Sequence, residues 1–470
     1  MTAKCHISFD AGTLLIRGDE EALDPLTHWL RHDSRVDCDR AEASSYGEII
    51  RCLYANNVEV DDLARDYTAP DLVLSTPHQP MSHQREALNA WIRTKRRGVV
   101  VMPTGSGKTF FAFLAMANVK RSTLIVVPTI DLLQQWASQL EQAFQCPVGM
   151  LGGGSHDIRD ITVSTYDSAV LQMEYIGNRF GLIIFDECHH LPGQVNRMCA
   201  SMCIAPYRLG LTATPERTDS DQTDAVMKRL VGDIVYRAHI DELEGTVLAP
   251  YVTRRIAVEL TPEEDAEYRA ARKKYIDFVR AMQIDFRDPG AWGRFVALCF
   301  QRRGGRDVFD AFLRQREIAR CGVQKLRLLW KIFRDHPGSR ILVFTADNDT
   351  AYRIGEQFCL PVLTHKTKAA ERKAFLDSFR SGEYPVLVTS KVLNEGVDVP
   401  EANVGVVLSG SGSTREHVQR LGRILRRTGN GKQAILYELV SAGTSEMSVS
   451  ERRRNNRAYQ KPYRGGGRSC

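Results

Sequence analysis

Val99-Val-Val-Met-Pro-Thr-Gly-Ser-Gly-Lys-Thr109 governs how the rest of this chain reads. Its short apolar run is rich in β-branched residues and is followed at once by Pro and Gly, which predicts a buried parallel strand ending in a tight loop. The next stretch, 110–118, is compatible with a helix. Strand, Gly-Ser-Gly-Lys-Thr and helix in that order make the setting of a phosphate-binding loop. Gly105 and Gly107 permit backbone angles and a close approach that a Cβ would obstruct. The amides of Thr104, Gly105, Ser106 and Gly107, with the positive end of the following helix, would face the phosphates of ATP. Lys108 would reach the β- and γ-phosphates, and the Thr109 hydroxyl would bind Mg²⁺. Met102 stands where the simple pattern has its first glycine.

Similar runs recur on either side. Thr123-Leu-Ile-Val-Val127 and Leu182-Ile-Ile-Phe185 predict further buried strands, with helix-like stretches such as 130–144 between them. This alternation predicts a doubly wound α/β sheet. The third run continues as Asp186-Glu-Cys-His-His190, placing two carboxylates at a strand end, 78 residues after Lys108. Asp186 would hold Mg²⁺, and Glu187 would orient and polarise an attacking water. His189 and His190 lack further ligands nearby, which favours hydrogen-bonding relays over a zinc site.

The periodicity changes at 251–325. Tyr268, Ala271, Tyr275, Phe278, Val279 and Met282 recur at helical spacing with basic residues between them, predicting a mostly helical insertion. Its aromatics, including Trp292 and Phe295, form either its own core or stacking platforms, and the spacing favours a core. Arg302, Arg303 and Arg306 beside Gly304-Gly305 are the better candidates for contact with a polyanion. Strand-like runs then return at 340–344, 385–389 and 404–408. Gln419-Arg-Leu-Gly-Arg-Ile-Leu-Arg-Arg427 follows; Arg423 and Arg426 suit arginine fingers, and Gln419 is counted with them as catalytic. Fingers from a second α/β unit would make hydrolysis depend on closure of the two units.

The 470 residues suit about three domains. A 43% hydrophobic and 26% charged composition excludes a disordered or collagen-like chain. No apolar run approaches the ~20 residues that span a bilayer, and the first residues lack a signal pattern, so a soluble intracellular protein without a membrane partner is expected. Eleven cysteines without a CxxC give neither a disulfide framework nor a four-cysteine zinc site. Net charge is +6, but 263–327 carries +5 and 452–470 carries +7, leaving −6 elsewhere. Positive charge confined to two segments suits a locally gripped polyanion.

The order GSGKT, DECHH, Leu211-Thr-Ala-Thr-Pro-Glu-Arg217 and QRLGRILRR resembles superfamily 2 helicases and translocases. Within these it resembles the XPB family, closest to its short archaeal-type members, over about residues 80–450. Val163-Ser-Thr-Tyr-Asp-Ser168, Gly177-Asn-Arg-Phe180, Leu393-Asn-Glu-Gly-Val-Asp-Val-Pro400 and Ser409-Gly-Ser-Gly-Ser413 extend the likeness. The resemblance implies an α/β chain with two RecA-like doubly wound parallel-sheet domains, a small N-terminal α+β domain and a helical thumb-like insertion. The boundaries then read 1–75 for the DNA-sensing domain, 76–250 and 326–445 for the helicase domains, 251–325 for the insertion, and 446–470 for a basic disordered tail. It implies ATP- and Mg²⁺-dependent 3′–5′ movement on single-stranded or forked duplex DNA by a monomer, in excision repair or a transcription-linked process, with a possible partner nuclease. It implies strand contacts at Thr129, Thr165, Arg217, Asp219 and Thr389, coupling through Thr212 and Thr214, and nucleotide contacts at Gln84, Gly396 and Asp398.

The chain departs from the family pattern at three places. An Arg-Glu-Asp triplet linked to strand separation reads Arg217-Thr218-Asp219; Met81 and His83 replace an Arg and a Tyr upstream of Gln84; Pro215 replaces an aromatic. Two rival readings stand beside an XPB-type motor. One is an RNA helicase, and the other a nucleotide-gated DNA-binding module that does not unwind.

Overall fold

The run that opens the reading is strand β6, Arg97–Val101, with four of its five residues buried. Around it stand β7 (Thr123–Val127), β8 (Gly149–Gly152), β9 (Ser155–His156), β10 (Ile161–Thr165), β11 (Leu182–Phe185), β12 (Tyr207–Thr212) and β13 (Ile234–Arg237). Their order is β13-β6-β12-β11-β7-β10-β8-β9, parallel throughout except for the β8–β9 hairpin. Helices cover both faces, so β7, β10 and β11 are buried along their whole length. The computed structural model describes residues 3–213, 221–243, 251–390, 402–409 and 434–454. They fall into two compact units, Met1–Glu242 and Leu243–Cys470. No helix among the described residues is long and apolar enough to cross a membrane.

The first unit also holds a five-stranded sheet: β1 (Lys4–Asp10), β2 (Thr13–Gly18), β3 (Arg31–Asp33), β4 (Cys38–Glu42) and β5 (Glu59–Asp62), in the order β3-β4-β2-β1-β5. The β1–β2 hairpin turns on Ala11 and Gly12, both with positive φ, as a two-residue loop requires. The helix Tyr46–Ala55 buries Tyr46, Ile49 and Leu53 against this sheet. Before it, helix occupies only Glu20–Leu23, followed by a 3₁₀ turn at Asp24–Leu26 and a strand from Arg31. Pro25 lacks the N–H that would continue an α-helix. Ile204 of the neighbouring parallel-sheet domain completes this small core.

The second unit carries a parallel sheet of β14 (Tyr251–Val258), β15 (Ile341–Phe344), β16 (Val362–Leu363), β17 (Val386–Thr389), β18 (Val404–Val407) and β19 (Ala434–Ser441), in the order β14-β19-β18-β15-β17-β16. Two expectations change here. Residues 251–258, read as the start of the helical insertion, are strand β14, paired residue for residue with β19. Residues 446–454, read as disordered tail, belong to the helix Ser445–Arg454. Ser450 of that helix is buried and donates to Glu438 of β19, 2.9 Å away. The insertion proper is helical: Pro262–Ala281, Ala291–Gln301 and Gly305–Cys321.

Candidate active site

Parallel strands send all their carboxyl ends to one edge, where a doubly wound sheet places its ligands. At that edge of the first sheet lie the loop 102–107 after β6, Thr129 after β7, Thr165 ending β10, Asp186 and Glu187 after β11, and Thr212 ending β12. Two segments 78 residues apart in sequence thereby meet. Lys108 Nζ is 3.9 Å from Glu187 Oε1 and donates to the Met102 carbonyl at 3.4 Å.

The loop takes its shape from Gly105 and Gly107, with φ of 85° and 84°. A Cβ on Gly107 would lie 2.4 Å from Gln84 Nε2. Ser106 is buried and folds its hydroxyl onto the Pro103 carbonyl at 2.7 Å. The helix Lys108–Val119 begins at the loop's end, so Lys108 and Thr109 occupy its first turn. Gln84, fully enclosed, donates to the Ser106 and Gly107 carbonyls at 3.3 and 3.2 Å and accepts the Met81 N–H at 3.0 Å. His83 Nε2 meets the Ser106 carbonyl at 2.9 Å. The segment that departs from the family pattern thus packs directly behind the loop.

Asp186 is buried, and both carboxylate oxygens are held. Oδ2 accepts the Trp136 indole N–H at 2.9 Å, and Oδ1 accepts the Glu187 amide at 3.0 Å. Tyr166 donates its hydroxyl to the Asp186 carbonyl oxygen at 3.1 Å. Burial, reinforced by the neighbouring Glu187 charge, pushes the Asp186 carboxyl up to about 6, against the opposing pull of Lys108. Glu187 adopts a left-handed backbone, φ 45°, uncommon for a non-glycine residue and a mark of functional turns. That turn brings both carboxylates to the same edge. Glu187 Oε2 is buried without a hydrogen bond among the described residues, 3.4 Å from His189 Nδ1. The same His189 nitrogen is 3.1 Å from the Thr212 hydroxyl, joining the acidic turn to the end of β12.

A cradle shaped by two glycines, an ammonium, and an all-oxygen donor set of Asp186 and Thr109 fit a triphosphate with a hard divalent cation. The buried Glu187 Oε2 fits a partner that arrives with the substrate.

Thr129 caps the helix Ile130–Phe144, accepting the Leu132 N–H at 3.3 Å; Thr165 caps Tyr166–Ile176 through the Ser168 N–H at 3.3 Å. Thr389, in the second unit, is buried and donates to the Ser390 carbonyl at 3.2 Å. Arg302 and Arg303 are exposed at the corner between the helices Ala291–Gln301 and Gly305–Cys321. The insertion's aromatics divide. Phe295 is fully buried with Tyr275, Phe278 and Phe312 around it, and Tyr268 is buried elsewhere, accepting the Ser445 N–H. Trp292 packs one side on Phe295 and exposes the rest. Arg217, Asp219, Gly396, Asp398, Gln419, Arg423 and Arg426, together with Thr214, Pro215 and Thr218, lie outside the described residues. Trp136 and Tyr166 are the site neighbours that sequence reasoning missed. Leu133, Trp136, Ala137 and Leu140 have core spacing, and nothing in the pattern reveals where the indole N–H points.

Three family profiles match the chain. They are the XPB helicase damage recognition domain over residues 7–64, the type III restriction enzyme res subunit over 77–217, and the ERCC3/RAD25/XPB C-terminal helicase over 321–460. A DNA 3′–5′ translocase, XPB2, of Sulfurisphaera tokodaii is 40% identical over 414 residues, covering 88% of this chain and 93% of that protein. A DNA 3′–5′ helicase XPB of Mycobacterium tuberculosis is 32% identical, covering 77% of this chain and 61% of its own longer one. The Pyrococcus furiosus Hef helicase domain has the same fold, with a TM-score of 0.52 at 20% identity over 79% of this chain and 98% of that one. With profiles at both ends and near-complete coverage of an archaeal member, the chain belongs to the XPB family of DNA 3′–5′ helicases and translocases.

Proposed function

We propose that this chain is a Mg²⁺-dependent ATPase that moves 3′–5′ on DNA and opens or remodels duplex DNA in repair or a transcription-linked process. The observation that carries the reading is the meeting of the Lys108 loop with Asp186 and Glu187 at one sheet edge, the ammonium 3.9 Å from the second carboxylate. Bound ATP with Mg²⁺ supplies the phosphoryl group that passes to water. In this reading the amides of residues 104–107 and Lys108 hold the phosphates, and Thr109 and Asp186 hold the cation. Glu187 orients the attacking water and takes its proton. Gln419, Arg423 and Arg426 are assigned to the charge that develops on the γ-phosphate, Gly396 and Asp398 to the nucleotide, and Gln84 to the base. Thr129, Thr165, Thr389, Arg217, Asp219, Arg302 and Arg303 are assigned to the DNA, through its phosphates and without reading sequence. A partner nuclease belongs to the proposal by family resemblance alone.

A second reading, translocation without strand separation, is favoured by Thr218 in place of the middle carboxylate of the family triplet. Strand displacement on forked DNA, run with each tail polarity and with and without ATP, tests both. ATP-dependent displacement from 3′-tailed forks supports the first reading. ATP-dependent movement on DNA without displacement supports the second, and stimulation of hydrolysis by RNA alone overturns both.

A further inference from the structure

Trp136 makes a contact with a site carboxylate that no motif assigns. It is almost completely buried, yet its indole N–H does not reach the backbone; it ends on Asp186 Oδ2 at 2.9 Å. The Glu187 amide takes the other oxygen at 3.0 Å, so the carboxylate plane is fixed by two donors on opposite oxygens. An indole donates only and carries no exchangeable charge, so this bond orients the carboxylate without relaying a proton from it. The ring has its own support. Its edge-to-face contact with Phe113 spans 6.1 Å, and Phe113 stands on the helix that starts at Lys108. Phe113 in turn meets Phe144, at the far end of the helix that carries Trp136. That helix is capped by Thr129.

We propose that Trp136 is a positioning residue: it sets the orientation of the Asp186 carboxylate toward the cation and ties it to the helix that Thr129 caps. The inference rests on the reading of Asp186 as the cation-holding carboxylate. Partners that orient a ligating group typically cost 10- to 100-fold in metal affinity when lost. Trp136→Phe keeps a ring in the cavity and removes only the donor, while Phe113→Leu disturbs the packing and keeps the donor.

The experiment titrates Mg²⁺ against a fluorescent ATP analogue bound to the full chain in the Glu187→Gln background, where binding is read without turnover. Trp136→Phe is expected to raise half-saturating Mg²⁺ about tenfold and leave nucleotide binding in chelator unchanged. Phe113→Leu is expected to lower thermal stability without moving the Mg²⁺ requirement. An unchanged Mg²⁺ requirement in Trp136→Phe, or an equal shift in Phe113→Leu, overturns the proposal. A second measurement needs no change at Trp136. Among the five indole N–H resonances, one should shift when Mg²⁺ joins the bound nucleotide, and the same one in Asp186→Asn. Five resonances unmoved by either overturn it. If Asp186→Asn binds Mg²⁺-nucleotide as the parent does, the assignment of Asp186 itself fails, a result distinct from failure at Trp136 alone.

Discussion

Asp186 and Glu187 concentrate the strain of this site. Two carboxylates adjoin in a buried turn, and the second occupies a left-handed conformation that costs about 1–3 kcal/mol. In metal-free protein the folded Asp186 carboxyl takes a proton near pH 6, whereas an unfolded one waits until about 4. A raised carboxyl of this kind weakens the fold where it is ionised, above pH 6. That penalty fades as pH falls from 6 toward 4, because the folded state then binds the extra proton. Burial is its larger cause and the Glu187 charge the next. Removing that charge by Glu187→Gln should therefore stabilise the chelated protein by about 1–2 kcal/mol at pH 7.5. The gain should shrink below pH 6, where Asp186 is already neutral in the parent. Thermal melts of both proteins from pH 5 to 8 in chelator measure the difference. A gain that grows toward acid pH would contradict the account. The meeting of Lys108 with Asp186 and Glu187 was legible in sequence because two parallel strands carry both segments to one sheet edge. The Trp136 donor was not, since a helical period reports which face is buried and says nothing about a polar atom on it.

At the scale of elements, the buried parallel strands were the easiest to read. The runs at 99–102, 123–127 and 182–185 are short, β-branched and bounded by Pro, Gly or turn residues, and β6, β7 and β11 fall on them. β14 escaped because Thr253, Arg254 and Arg255 interrupt its apolar pattern, as befits a strand that stands at the sheet edge among the described residues. The helix Ser445–Arg454 escaped because its sequence is dominated by polar residues, and its anchors are Ser450 and Glu446 rather than an apolar stripe. Glu446 pairs at 2.5 Å with Lys325, which is buried beside the Ala319 and Leu408 carbonyls. In the insertion, Gly304 turns the corner at a positive φ of 78°, and Gly305 leaves no room for a side chain, since a Cβ there would lie 2.2 Å from the Cys299 carbonyl oxygen. That corner presents Arg302 and Arg303 to solvent together. Reversing both to Glu should lower DNA affinity about tenfold or more at 0.1 M salt and reduce the slope of log K against log salt by about 2. Fluorescence anisotropy across a salt series measures both. An unchanged slope would place the corner away from the phosphates.

The whole molecule divides its charge unevenly. Residues 1–75 carry seven Lys/Arg against fifteen Asp/Glu, a net of −8, and the damage recognition profile falls within them at 7–64. A domain of that charge opposes approach to a polyanion, whereas the insertion attracts it. Under the proposed function, the positive charge of 263–327 is assigned the grip, and the N-terminal domain selectivity through what DNA must offer to overcome repulsion. Glu20 and Glu21 are exposed in the first helical turn of that domain. Replacing both with Gln should tighten binding to undamaged duplex by about two- to fivefold at low salt, with the difference screened away near 1 M. Weaker binding by this variant would show that the acidic surface contributes directly to DNA affinity.

The central claim is that the Lys108 loop and the Asp186–Glu187 turn form one ATP-hydrolysing centre that powers movement on DNA. Single-turnover hydrolysis with saturating DNA, beside nucleotide binding in the same buffer, tests it most directly in the parent and in Glu187→Gln. The account predicts nucleotide affinity within about threefold of the parent and a rate at least about a hundredfold lower, the scale of a lost general base. Undiminished hydrolysis in Glu187→Gln would contradict it.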